Sequence, residues 1–106
     1  MSVEQKGASV EKPTALAPAV KTQTRAVIFE LLNGELEIAE TFVSVAETTG
    51  HRERAVRNVA NAWLALKTAL DLAKQLDMHS AERRAFRDSY GVLCTRLTDL
   101  QLRSHV

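Results

Sequence analysis

Residues 24–48 wind a continuous apolar face around half a helix, and a single carboxylate interrupts it. At 3.6 residues per turn, Ile28, Leu31, Leu32, Leu36, Ile38, Ala39, Phe42, Val43, Val45 and Ala46 share one side. Glu35 falls near the centre of that side. A bare carboxylate buried there is costly, so it needs a cationic partner, a proton or access to water. A stripe this long and this regular is incompatible with a strand and requires other helices to cover it. The rest of the chain agrees. Leu and Ala supply most apolar side chains, and aromatics are only 5% of the residues, which disfavours sheets.

Two further segments repeat the pattern. Gly50 ends the first helix as a C-terminal glycine does, and a second helix is predicted from Arg52 to Leu76. Its stripe is Val56, Val59, Trp63, Leu66 and Leu70, with a row of small residues beside it: Ala62, Ala65, Ala69 and Ala73. Ser80 is the expected N-cap of a third helix from Ala81 to Leu102, whose stripe is Phe86, Tyr90, Leu93, Leu97 and Leu100. The first helix is expected to start near Thr24 and to run through Asn33-Gly34, because the stripe stays in phase across that pair. Residues 1–22, with Gly7, Pro13 and Pro18 and no apolar period, read as a flexible arm. Short connections between long helices make neighbours antiparallel. The predicted fold is all-α: an up-down-up three-helix bundle over residues 23–106 behind an N-terminal arm.

Charge is sorted by helix although the net charge is only +1. The first helix holds Glu30, Glu35, Glu37, Glu40 and Glu47 against Arg25 alone, whereas the other two are basic. Antiparallel pairing at Gly50 sets position 35 opposite position 66, so Lys67 is the expected partner of Glu35. Arginines open both later helices, Arg52, Arg54 and Arg57 in one and Arg83, Arg84 and Arg87 in the other. Cations there oppose the helix dipole, and carboxylates of neighbouring helices, Glu47 for the first cluster, are expected to offset this. Nucleic acid is disfavoured as a partner. The clusters fall at opposite ends of the bundle, and no aromatic residues are interleaved for stacking.

The stretch Gly50-His51-Arg52-Glu53-Arg54-Ala55, with Ala62 seven residues further on, resembles the turn of a tetratricopeptide-type helical hairpin. In that family a glycine closes the first helix and small residues pack inside the second. The likeness covers about 25 residues, from Phe42 to Leu66. It implies an interhelical turn at Gly50 and, through the family's role, the binding of peptides or proteins. Arg52 departs from it, standing where the family has an aromatic residue. Helix 2 also runs past the family's proline, and no second repeat follows.

The chain offers no Gly-rich phosphate loop, no Ser-His-Asp set and no metal-spaced cysteines, so no catalytic residue, cofactor or metal is assigned. His51, His79 and His105 fall at helix ends or in the tail, and Cys94 at the margin of the third stripe. A single cysteine cannot form an internal disulfide. With no secretory leader and no apolar run of ~18 residues, a cytoplasmic location without membrane insertion is expected. What remains is excess apolar surface. Helices 1 and 2 carry apolar arcs wider than a core-facing helix needs, and Leu64 and Leu72 lie outside the main stripe of helix 2. These features predict a non-enzymatic protein–protein interaction module, a homo-oligomer or a partner of another protein. The residues to watch at an interface or polar core are Glu35, Trp63, Leu64, Lys67 and Leu72. The alternative is a small ligand- or metal-binding bundle, a sensor or carrier, using Glu35.

Overall fold

Three helices make up the structure: α1 (Pro13–Thr48), α2 (Arg52–Lys74) and α3 (Ser80–Ser104). This computed structural model describes the backbone of residues 13–104 and the side chains of residues 24–103, and no strand occurs among them. α1 begins earlier than the expected Thr24. Pro13 suits a first helical position, where its missing N–H would have no intrahelical partner anyway. Ala15, Ala17 and Ala19 are strong helix formers. Of the predicted arm, residues 1–12 lie outside the described residues, and residues 13–22 have helical backbone.

The expected breaks are where the sequence put them. α1 ends at Thr48, and α2 starts at Arg52 behind an extended His51, but Gly50 lies in the turn without the left-handed φ of the expected C-terminal glycine. α2 stops at Lys74, two residues short of the predicted Leu76, with Gln75 as its cap. Ser80 is the first helical residue of α3 rather than its cap. Glu82, in the first turn, accepts a hydrogen bond at 3.0 Å from the His79 N–H, as the acidic half of a capping box does.

Cross-helix contacts define the topology. Arg25 pairs with Glu82 at one end and Glu47 with Arg96 at the other, so α1 and α3 run the same way. Leu32 clusters with Ala73 and Met78, while Ala39, Val43 and Ala46 cluster with Ala62, Ala65 and Leu66. α2 therefore runs back along α1, and the bundle is up-down-up.

α1 and α2 approach most closely, and α3 lies farther from both. The cause is side-chain size. The predicted small-residue row, Ala62, Ala65, Ala69 and Ala73, is buried along its whole length, and interaxial distance follows the side chains at the contact. α3 packs through larger groups, Phe86, Tyr90, Leu93, Leu97 and Leu100, of which the three leucines are buried. The burial corrects the sequence picture of α2. Of the predicted stripe only Leu66 is fully buried, and the centre of its buried face is the alanine row. Met78, read only as part of a connection, is buried and caps the second apolar cluster.

Candidate functional site

α1 carries two apolar seams side by side. Leu32, Leu36, Ala39, Val43 and Ala46 alternate spacings of four and three, the period of a helix–helix contact. All but half-buried Leu36 are fully enclosed. One residue earlier, Leu31, Glu35, Ile38, Phe42 and Val45 repeat the same spacing. This second seam points away from α3. Leu31 is 53% exposed, Ile38 45% and Val45 36%, whereas Glu35 and Phe42 are half-buried on its inner edge. The wide face read from the sequence is thus two faces, and neighbours within the chain cover one of them.

Glu35 sits at the shoulder between the seams rather than in the middle of the core. It makes no ion pair or hydrogen bond among the described residues, and none is needed at a position water reaches. The expected pairing with Lys67 does not form. Lys67 Nζ lies 3.3 Å from Asp71 Oδ2 on its own helix. The reason is azimuth. Ala65 and Ala69 face α1, and at about 100° per residue Lys67 emerges on the opposite side of α2. Matching heights along two helices does not bring side chains together when one of them points outward.

The other flagged residues divide between two surfaces. Leu64 is the most exposed large apolar residue of α2, at 63%, and lies on the side of α2 towards the outward seam. Leu72 is half-buried and packs against the Leu32–Ala73–Met78 cluster. Trp63 is half-buried too, packed on the main cluster from the α3 side of α2. It lines a groove of about 390 Å³ with Val56, Val59, Ala60 and Leu100, and Arg52 and Gln101 stand at its rim. The groove exists because α3 is held away from α2, so that Trp63 and Val59 face a gap instead of a closed interface.

Ion pairs add to the apolar contacts that hold α3. Arg96 donates Nε to Glu47 Oε2 at 3.0 Å and Nη2 to Glu47 Oε1 at 2.7 Å. Ser44 Oγ accepts from Nη2 at 3.4 Å, and Glu40 lies 3.6 Å from Nη1. This fork holds the Glu47 carboxyl below its ordinary value, chiefly by the Arg96 hydrogen bonds, with a smaller opposing effect of burial. Glu47 therefore serves α3 and not the arginines that open α2. Arg52, Arg54 and Arg57 are exposed and carry no ion pair among the described residues. Glu82 is lowered too, first by the His79 N–H and then by Arg25. In the second arginine cluster, Arg83 donates to the Met78 carbonyl at 3.0 Å. The sequence showed an acidic helix against two basic ones. It did not show these partners, because they depend on the rotation of α3 about its axis.

The remaining chemical groups are quiet. Burial pushes the Cys94 thiol up, against a smaller lowering by Tyr90, so it is held protonated. Tyr90 is raised by burial first and by Cys94 second, and its ring tilts against Phe86 at 5.5 Å between centroids. Among the described residues no three His, Cys, Asp or Glu side chains gather as metal ligands. His51 and His79 are exposed at separate helix ends, and His105 lies outside the described residues. No helix of the described residues is long and apolar enough to cross a membrane. Comparison with protein-family models, with curated proteins and with solved structures finds no match to this chain.

Proposed function

We propose that this chain is a non-catalytic, cytoplasmic helical interaction module that assembles with further copies of itself. The observation that carries the reading is the outward seam of α1. Leu31, Ile38 and Val45 keep the spacing of a helix–helix contact over two heptads, yet no helix among the described residues covers them. Contiguous exposed apolar surface on a small domain marks an interaction site, and a heptad seam fits a helical occupant. A monomer already closes its inner seam, so the outer one is surplus to folding.

Sedimentation velocity across a concentration series tests this. The parent chain is expected to rise above the monomer mass with concentration. The double variant Leu31→Asp/Ile38→Asp is expected to stay monomeric with an unchanged helical circular dichroism spectrum. A parent that remains monomeric throughout would end the proposal.

A further inference from the structure

We infer that the copies join head to tail: the outward seam of α1 on one copy seats in the α2–α3 groove of the next. The inference rests on the self-association proposed above and specifies its geometry. Charge selects the arrangement. Glu30, Glu35 and Glu37 lie on α1 around the seam and carry no ion pair among the described residues, while Glu40 and Glu47 are taken up by Arg96. A symmetric contact of α1 with α1 would bring the three free carboxylates of each copy together, and like charges across an interface are unfavourable. The groove has the opposite sign. Arg52 stands at its rim and Arg57 beside Val56, both exposed and unpaired among the described residues, and with Glu53 next to them the edge is net basic.

Shape and register agree with charge. Leu31 and Ile38 are seven residues apart, as are Val56 and Trp63, so each pair spans about 10 Å of helix. Val56, 54% exposed, and Ala60 form the open wall of the groove, with Trp63 at its end. The seam and the groove lie on different helices and face different ways, so no copy can fill its own groove. Contact between two different patches is heterologous. It propagates to an open series of copies, or to a ring if the rotation closes.

The test is a mixing experiment with two variants that carry changes only at exposed positions. Leu31→Asp/Ile38→Asp removes the seam and leaves the groove. Val56→Glu/Ala60→Glu removes the groove and leaves the seam. Each alone is expected to be monomeric by native mass spectrometry, with the helical circular dichroism of the parent. An equimolar mixture is expected to form a one-to-one dimer and nothing larger, because it contains one intact seam meeting one intact groove. If the groove variant alone still dimerises, or if the mixture stays monomeric while the parent associates, the head-to-tail arrangement is overturned and self-association stands. If the parent itself does not associate, both readings fall.

Discussion

The two seams of α1 have the same spacing on the same helix, one residue apart, and different fates. Leu32, Ala39, Val43 and Ala46 are enclosed by α2 and α3, while Leu31, Ile38 and Val45 are left on the surface. Apolar periodicity alone does not separate them. The difference lies in the partner. α2 offers its alanine row to the inner seam, and small side chains let the backbones close on each other. Towards the outer seam α2 presents Leu64, exposed, and no row of small residues. The inner seam is built for permanent contact, and the outer one also carries the only carboxylate on either seam, Glu35. A chain of this size can therefore fold on half of its apolar face and leave the other half exposed.

The largest contrast between the two surfaces should appear in stability. Leu66 is fully enclosed between α1 and α3, and Leu64, two residues away, is mostly exposed. Leu66→Ala is expected to cost about 2–5 kcal/mol through lost transfer energy and the cavity left behind. Leu64→Ala should change stability by no more than about 0.5 kcal/mol. Urea denaturation of the two variants measures this directly. Equal losses would mean that the outward side of α2 is packed in solution, within the monomer or against another copy. Repeating the Leu64→Ala measurement at low protein concentration separates those two cases.

A middle-sized effect concerns how α3 is attached. Arg96 is the fork that ties α3 to α1, and its removal should cost up to about 1 kcal/mol, at the upper end for a partly exposed ion pair. The pH dependence gives the sharper readout. The Glu47 carboxyl is lowered in the folded state, chiefly by Arg96. Its contribution is therefore fully present above the unfolded carboxylate value of about 4.3 and is lost as pH falls through the lower folded value. Arg96→Ala should narrow the stability gap between neutral and acidic pH. A variant with the same acid dependence as the parent would show that the fork adds little to the attachment of α3.

How much of this was legible in the sequence follows the same division. The helices, the turn at Gly50 and the alanine row could be read because period and residue size act locally along one helix. The start of α1 was expected at Thr24 because Pro13 and Pro18 read as arm residues, whereas the helix begins at Pro13, a first position that proline suits. Glu35 was placed at the centre of a single face because a helical wheel shows the width of an apolar arc and not how neighbours divide it. The pairing with Lys67 failed on rotation about the helix axis, and the Arg96–Glu47 fork was missed for the same reason. Trp63 was read as part of the α2 stripe and as a residue to watch at an interface or polar core. That it also lines a groove follows only from the distance at which α3 is held.

The smallest expected change in stability tests what Glu35 does at the boundary of the two seams. Glu35→Leu makes the outward seam continuous, and at a half-buried position with no ion pair it should alter folding stability by less than about 0.5 kcal/mol. Its effect on assembly should be larger. A single polar residue in an otherwise apolar seam restricts register and oligomeric state at some loss of affinity, and here it also sets like charges against a symmetric α1 contact. With leucine in its place, that symmetric contact is relieved of one repulsion per copy and gains apolar area. The variant should therefore shift from a concentration-dependent series of masses towards a discrete dimer, read by sedimentation velocity at matched concentrations. A variant whose mass distribution follows that of the parent would mean that Glu35 does not select the geometry. The choice between symmetric and head-to-tail contact would then fall to Arg52 and Arg57 at the groove.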